Sequence, residues 1–146
     1  LPLCIVLELC SGGTCAERLY AVNAAEEQPP MSWQQTYKIM HDTAEATRYL
    51  HSLEPAIVHR DLKSMNLLFT HPVNGPRVVP VVKLCDFGVA RSKSAVEGMT
   101  PRTQSDDDWP IMTKAVGTCN WVAPEVFMGH IYDEKVDVYA FAMVCF

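Results

Sequence analysis

Three polar residues stand close together in the sequence and could act together in chemistry: Asp61, Asn66 and Asp86. Asp61 follows a strand-like tripeptide, in a polar loop where a carboxylate can accept or orient the proton of a hydroxyl group. Asn66 and Asp86 offer hard oxygen atoms suited to Mg²⁺, which proteins usually hold with few ligands of their own. Lys63 can neutralise charge that develops on phosphoryl oxygens. A base, a cation and two metal ligands are the groups that phosphoryl transfer from a nucleotide requires.

The same acidic residues also have a purely structural interpretation. Aspartates frequently cap helices or occupy turns, and Asp86 is followed two residues later by Gly88, where the backbone can turn sharply. Asp61 and Asp86 could therefore be turn residues without a chemical role.

The composition of the 146-residue chain is that of a globular domain, with 49% hydrophobic and 20% charged residues. The net charge of −5 and the absence of a basic run predict no nucleic-acid partner. The six cysteines are scattered, without CxxC pairs, which favours free thiols in a reducing, cytoplasmic compartment. No apolar run of the sequence reaches membrane-spanning length, so no membrane segment is predicted.

Local patterns predict the elements that position these groups. Residues 1–9 form an apolar run typical of a buried strand, and Thr14 with Glu17 has the spacing of a capping box for a short helix to Tyr20. Ser32 with Gln35 has the same spacing and predicts a helix to about residue 51. In that helix the recurring apolar residues are expected to face the core, and both histidines are expected to be ordinary surface or capping residues: Trp33, Tyr37, Met40, Ala44, His41 and His51.

Two short strands and a last helix complete the prediction. Residues 67–69 and 81–84 are expected to be strands joined by a proline-rich, solvent-facing loop over residues 71–80. The second strand delivers Asp86 at its end. Residues 91–111 lack periodicity and predict a long loop, and a helix beginning at Asp133 is apolar almost all round, so it should be buried.

Three motifs in order resemble those of the eukaryotic protein kinase family: His-Arg-Asp-Leu-Lys-x-x-Asn at 59–66, Asp-Phe-Gly at 86–88 and Ala-Pro-Glu at 123–125. The sequences at 49–52, 117–118 and 121–126 are most similar to its tyrosine-kinase-like group of serine/threonine kinases. The resemblance implies an α+β, protein-kinase-like fold that is mainly the helical C-terminal lobe, truncated at both ends. Residues 1–13 would be the hinge region and residues 14–146 part of the C-terminal lobe.

The resemblance implies a role for each residue that matches a motif. Asp61 would be the catalytic base, and Lys63 would contact the γ-phosphate of ATP. Asn66 and Asp86 would hold Mg²⁺. Asp137 resembles the aspartate of the buried helix that anchors the catalytic loop.

Residues of the hinge would bind the nucleotide. Leu7 lies at the position of the gatekeeper, and the backbone of Glu8 and Cys10 would bond the adenine. Leu68 would pack under the adenine ring.

The regulatory residues follow from the same resemblance. Arg60 would bind a phosphate on the activation segment, consistent with guanidinium–phosphate pairing. Thr113 is the favoured phosphosite among several hydroxyls, and an upstream activating kinase is a possible partner. Lys63 together with Thr118 resembles the pattern of serine/threonine specificity, while His59 and Phe87 would belong to the hydrophobic spine of the active state.

The expected activity is transfer of the γ-phosphate of ATP to serine and threonine hydroxyls of protein substrates. The family's Gly-rich loop and its Val-Ala-x-Lys strand do not occur in this sequence, and the resemblance places them before Leu1. Two alternatives therefore stay open: a pseudokinase that serves as a binding or scaffold module, and a truncated fragment that is inactive by itself.

Overall fold

A computed structural model describes residues 4–20, 30–94 and 118–146 of the chain. Helices and short strands occur in both halves, in agreement with the predicted α+β class. Two single turns of 3-10 helix lie at Ser64–Asn66 and Thr118–Trp121. In chain order, the other elements are α1 (Cys15–Tyr20), α2 (Trp33–His51), β1 (Ile57–Val58), β2 (Leu67–Phe69), β3 (Val82–Leu84), β4 (Arg91–Ser92), α3 (Pro124–Phe127) and α4 (Lys135–Cys145).

Both predicted capping boxes are present. The hydroxyl of Thr14 accepts a hydrogen bond from the backbone N–H of Glu17 at 3.0 Å, and the Glu17 carboxylate accepts one from Thr14 N–H at 2.7 Å. Ser32 and Gln35 make the equivalent reciprocal pair at the start of α2. These bonds satisfy N–H groups that a helix start otherwise leaves unpaired.

The prediction of which face of α2 is buried is wrong. Trp33 and Tyr37 are 71% and 58% exposed, and Met40 and Ala44 are only half-buried. The buried face instead consists of Gln35, Ile39, Thr43, Thr47 and Leu50.

Local hydrogen bonds explain why polar residues can lie on that face. The hydroxyls of Thr43 and Thr47 donate to carbonyl oxygens one turn earlier, at 2.8 Å and 2.9 Å. Their methyl groups are then free to pack, because each buried hydroxyl already has a partner. A hydrophobicity pattern counts these threonines as polar and therefore assigns the face incorrectly.

The predicted β-hairpin forms between β2 and β3. Leu67 pairs with Leu84, and Phe69 pairs with Val82. The connecting loop is not simply solvent-facing, since Val73 and Pro80 are buried. The side-chain amide of Gln35 donates to the carbonyl oxygens of Gly75 and Val78, both at 2.8 Å, and so binds this loop to α2.

Residues 4–10 are not the predicted buried strand. Val6 is 93% exposed, and none of these residues belongs to a strand. A strand requires a partner strand, and the strands in the described part of the chain pair only as β1–β4 and β2–β3.

Gly12 and Gly13 make backbone hydrogen bonds to the hairpin. The N–H of Gly12 donates to Phe69 O at 3.0 Å, and the N–H of Phe69 donates to Gly13 O at 2.9 Å.

The last helix is only partly buried, in contrast to the prediction. Val136, Asp137 and Ala140 are buried, whereas Val138 and Tyr139 are exposed. The larger core cluster lies between α1, α2, the hairpin and α4, and a smaller one lies beside β1. Within the described ranges, no helix is both long and apolar enough to cross a membrane.

Candidate active site

The loop that carries the candidate base is anchored by one buried carboxylate at the start of α4. Asp137 is 1% exposed, and its Oδ2 accepts a hydrogen bond from the backbone N–H of His59 at 2.8 Å. Its Oδ1 accepts one from the N–H of Arg60, also at 2.8 Å. The ring of His51 lies 2.8 Å from Oδ2 through its Nε2. Because a carboxylate only accepts, Nε2 of His51 carries the proton. The buried carboxylate of Asp137 in α4 therefore fixes the path of this loop.

His59 links this loop to the segment that precedes Asp86. Its Nε2 lies 3.1 Å from the carbonyl oxygen of Cys85, and its Nδ1 accepts a hydrogen bond from the N–H of Asp61 at 3.3 Å. A ring that accepts at Nδ1 is neutral and donates from Nε2. Burial lowers the pKa of His59, against the opposing influence of the Asp137 charge and the Cys85 carbonyl. Geometry and desolvation thus both favour the neutral ring.

The carboxylate of Asp61 is held by two neighbouring side chains. Nζ of Lys63 lies 2.9 Å and 2.7 Å from its two oxygens. The amide nitrogen of Asn66 donates to Oδ2 of Asp61 at 2.9 Å and to the Asp61 carbonyl at 2.8 Å. The Lys63 and Asp61 side chains remain 14% and 15% exposed, so one side of the pair reaches solvent. The structure therefore brings these three predicted residues into direct contact.

Asp86 joins the same region through the backbone. The N–H of Cys85 donates to the carbonyl of Asn66 at 3.0 Å, next to Asp86 in the chain. Asp86 has a left-handed backbone with φ of 64°, and its Oδ1 accepts a hydrogen bond from the N–H of Gly88 at 3.2 Å. The ring of Phe87 packs edge-on against His59, with centroids 4.9 Å apart. The role of these two residues in a hydrophobic spine stays a prediction.

Arg60 has an unusual environment. Its backbone φ is 69°, its Nη1 is buried, and that atom has no hydrogen-bond partner among the described residues. The guanidinium carbon lies 5.9 Å from the centroid of the Tyr132 ring, within the range of a cation–π contact. A buried guanidinium nitrogen without an acceptor favours binding of an anion.

The predicted nucleotide-binding residues lie on the side of the hairpin. Leu68 is half-buried in β2 and forms an isolated antiparallel bridge with Thr14. The carboxylate of Glu8 is 3.3 Å from Nζ of Lys83 in β3, so Glu8 lies beside the hairpin. Cys10 is half-buried, whereas Leu7, at the predicted gatekeeper position, is 79% exposed.

The thiol beside the candidate metal ligand behaves as a packing group. Burial, followed by the negative charge of Asp86, raises the pKa of Cys85. A raised pKa disfavours the thiolate, which is the reactive form. Cys85 is therefore favoured as the protonated thiol.

A family model described as the protein kinase domain matches residues 2–146. The chain belongs to the protein kinase family. A putative serine/threonine-protein kinase/receptor of Acanthamoeba polyphaga mimivirus is 36% identical over 142 residues, which are 97% of this chain and 7% of that protein. A probable serine/threonine-protein kinase of Dictyostelium discoideum is 37% identical over 142 residues, 97% of this chain and 12% of the relative.

A dual specificity protein kinase of Dictyostelium discoideum is also 37% identical, over 150 aligned residues that are 98% of this chain and 6% of that protein. The chain thus spans only a small fraction of the curated relatives it matches. Membership of the family confirms the predicted kinase-like α+β fold. The assignment to the tyrosine-kinase-like group stays a prediction.

Thr113 lies outside the described residues, and Thr118 begins the 3-10 turn Thr118–Trp121. Their regulatory and specificity roles stay predictions.

Three contacts of polar side chains near the loop of residues 59–66 were not predicted. His51 was expected to be a surface or capping residue, but it contacts the buried Asp137. Tyr132 packs against Arg60. Lys93 forms a 2.9 Å ion pair with Glu134, and this hydrogen bond lowers the pKa of Glu134. The sequence contained one indication of the contact between His51 and Asp137. His51 ends the predicted helix only a few residues before the loop that Asp137 anchors.

Proposed function

We propose that the protein is a serine/threonine kinase, which transfers the γ-phosphate of ATP to serine and threonine hydroxyls of protein substrates. The observation that carries the proposal is the contact of Lys63 and Asn66 with the carboxylate of Asp61, in a loop anchored by Asp137. The relatives' names support the proposed substrate, since two are described as serine/threonine kinases.

Asp61 would act as the base for the substrate hydroxyl. Its carboxylate accepts the hydroxyl proton as the new bond to phosphorus forms, and the bond between the γ-phosphorus and the bridging oxygen of ATP breaks to release ADP. Lys63, now paired with Asp61 at 2.7 Å, would turn its charge toward the transferred phosphoryl oxygens. Asn66 would keep the carboxylate aligned by donating to Oδ2.

The donor set suits Mg²⁺. Asn66 uses its amide nitrogen to bond Asp61, so its side-chain oxygen would be the atom that binds a cation. Asp86 uses Oδ1 to accept from Gly88, and its second oxygen can bind the ion. Two hard oxygens from the protein are typical of Mg²⁺ sites completed by nucleotide phosphates and water. Bound there, the ion would neutralise phosphate charge in the transition state.

We propose the nucleotide-binding roles as the resemblance implies them. Leu68 would pack under the adenine, and the backbone of Glu8 and Cys10 would bond its edge, beside Leu7. The ion pair of Glu8 with Lys83 supports this arrangement because it places Glu8 beside β3, the strand that pairs with the β2 strand of Leu68. Residues 1–13 would then be the hinge and residues 14–146 part of the C-terminal lobe.

We propose that Arg60 binds a phosphate placed on the activation segment, at Thr113, by an upstream kinase. Support comes from the buried Nη1 of Arg60, whose hydrogen-bonding capacity a phosphate oxygen would satisfy. Mass spectrometry of the active protein should find Thr113 phosphorylated. Occupancy restricted to other hydroxyls would remove this part of the proposal.

An Mg·ATP kinase assay on the full-length protein that carries this chain tests the main proposal. Asp61→Asn and Asp86→Ala should each reduce phosphate transfer to a generic protein substrate by at least about a hundredfold. Glu45→Gln, which alters an exposed carboxylate of α2, is the matched control and should retain full activity. Phosphoamino-acid analysis should yield phosphoserine and phosphothreonine.

Three outcomes would contradict the proposal. Wild-type protein that binds a partner but transfers no phosphate would favour the pseudokinase alternative. Activity that survives both substitutions would exclude Asp61 and Asp86 from the chemistry. Phosphotyrosine in addition to phosphoserine would instead support dual specificity, as in one relative's name.

A further inference from the structure

The sheet formed by β1 and β4 joins the loop of residues 59–66 to the segment that follows residues 86–88. Its residue pairs are Ile57 with Ser92 and Val58 with Arg91. The N–H of Lys93 extends the pairing by donating to the carbonyl oxygen of Ala56 at 2.7 Å. A two-stranded sheet this short is marginal without further contacts, so β4 needs support from a neighbouring element.

The side chain of Lys93 supplies such a contact. Its Nζ lies 2.9 Å from Oε2 of Glu134, which is the N-cap residue of α4. The two side chains are 34% and 23% exposed, and Oε2 itself is buried. Water and salt therefore screen this ion pair less than they screen a fully exposed one. Removal of the lysine charge would leave a buried carboxylate oxygen without a compensating cation.

Glu134 belongs to a segment that also contacts Arg60. Tyr132 lies two positions before Glu134, and the centroid of its ring is 5.9 Å from the guanidinium carbon of Arg60. Tyr132 also packs against a cluster of three buried residues: Val58, Ala123 and Val136. The end of β4, the start of α4 and Arg60 are therefore parts of one connected group of contacts.

We propose that Lys93 and Glu134 are positioning residues for the activation segment (residues 86–125). Their ion pair attaches the end of β4 to the start of α4, and the pairing of β4 with β1 then holds the beginning of the activation segment beside Arg60. Neither residue contacts nucleotide or substrate in this scheme. The kinetic consequence rests on the proposed kinase function, whereas the structural consequence does not.

The kinetic consequence should concern the protein substrate and not ATP. The ion pair lies at the first strand of the activation segment, whereas the predicted nucleotide-binding residues lie at residues 7–10 and in the β2–β3 hairpin. A displaced activation segment should therefore lower kcat/KM for a protein substrate and leave the KM for ATP nearly unchanged.

Variants of the full-length protein that remove one charge at a time test this expectation. Glu134→Gln keeps the size of the side chain, and Lys93→Met keeps most of its apolar stem. Each should lower kcat/KM for a protein substrate about fivefold, with the KM for ATP within about twofold of the wild type. Lys93→Arg keeps the charge and should stay within about twofold in both constants. The matched control is Glu45→Gln, which removes an ion pair of 2.8 Å whose side chains are 70% and 50% exposed, and it should change neither constant.

A double-mutant cycle asks whether the two residues act through each other. In the Glu134→Gln background, Lys93→Met should lower kcat/KM by less than about twofold further, because the ion pair is already absent. Multiplication of the two single effects would mean that the residues act independently, and would overturn the proposal. So would wild-type kinetics in both single variants.

Hydrogen exchange tests the structural part without an assay of phosphate transfer. The N–H of Lys93 should exchange about fivefold faster in Glu134→Gln, while the N–H of Phe69 in the hairpin keeps its rate. Unchanged exchange at Lys93 in the folded variant would overturn the proposal, whether or not the wild type transfers phosphate. Faster exchange in a protein whose wild type has no kinase activity would support the ion pair and remove the proposed function alone. If Glu134→Gln fails to fold, Lys93→Met is compared with the wild type at the same backbone N–H, with the same expected result.

Discussion

Replacement of Asp137 by asparagine should weaken the fold and the site together. The carboxylate accepts three hydrogen bonds while almost wholly buried. Asparagine has the same size but only one acceptor oxygen, and its NH₂ group cannot accept the bond that one peptide N–H now donates. The substitution therefore leaves one buried donor of the loop unpaired and converts the remaining charge-assisted bonds into neutral ones.

The magnitude follows from these bonds. An unpaired buried donor costs about 1–3 kcal/mol, and a hydrogen bond to a charged group contributes about 1 kcal/mol more than a neutral one. His51 can limit the loss, because its ring can shift its proton and accept from the new amide. We expect the free energy of unfolding to fall by about 2–4 kcal/mol.

Urea denaturation of the full-length protein, followed by tryptophan fluorescence, measures this change as a lower midpoint with an unchanged m value. Asp133→Asn is the matched control. Asp133 accepts a hydrogen bond from the N–H of Lys135 at 2.8 Å in the same region, but this bond is exposed and asparagine can accept it equally well. Its effect should stay below about 0.5 kcal/mol.

The kinase rate should fall at least about tenfold in Asp137→Asn at temperatures where the variant is folded. Stability within about 0.5 kcal/mol of the wild type, together with an unchanged kcat, would refute the role of Asp137 as the anchor of the loop. Reduced stability with an unchanged kcat would show that the loop keeps its active geometry without the carboxylate.

Three further substitutions test other contacts. Gly12→Ala should destabilise the protein by at least about 2 kcal/mol, because the added Cβ would lie 2.2 Å from the carbonyl oxygen of His71. In the control Gly75→Ala the added Cβ meets open space, so this variant should be neutral in the same denaturation assay. Gln35→Leu should cost about 2–3 kcal/mol in urea, since two loop carbonyls lose their donor, and an unchanged midpoint would show that water replaces it. Burial lowers the pKa of His59 below 6.5, so the unfolded chain binds a proton as the pH falls through 6.5 while the folded protein does not. The free energy of unfolding therefore declines with falling pH by up to about 1.4 kcal/mol per unit from this group, and His59→Phe should remove that slope between pH 7 and 5.5.

Short-range patterns were predicted well from the sequence. The capping boxes at Thr14 and Ser32 depend on residues three positions apart, and the hairpin depends on two short, largely apolar runs joined by a proline-rich loop. The contact of Asp61 with Lys63 and Asn66 also lies within six residues, so the motif itself fixes most of that geometry. These features could be predicted because the residues that form them are close together in the sequence.

The burial of individual side chains and contacts between distant residues could not be predicted in the same way. Thr43 and Thr47 are buried because each hydroxyl finds a carbonyl of its own helix, and a hydrophobicity count treats them as exposed. Val6 is apolar but exposed, because burial of a strand depends on a partner rather than on its own composition. His51 is unremarkable in sequence, since its partner lies in the last helix.

The carboxylates that accept hydrogen bonds near Arg60 and Asp86 have a common role, which is to hold a strained backbone. Both Arg60 and Asp86 have positive φ, at 69° and 64°, which costs about 1–2 kcal/mol at each non-glycine position. Such conformations persist only where other interactions hold them. Asp86 does this with its own carboxylate, which accepts from Gly88, whereas Arg60 depends on Asp137 in a distant helix. The two strained residues precede Asp61 and Phe87 directly, so the buried carboxylate that offsets the strain also sets the direction of the candidate base.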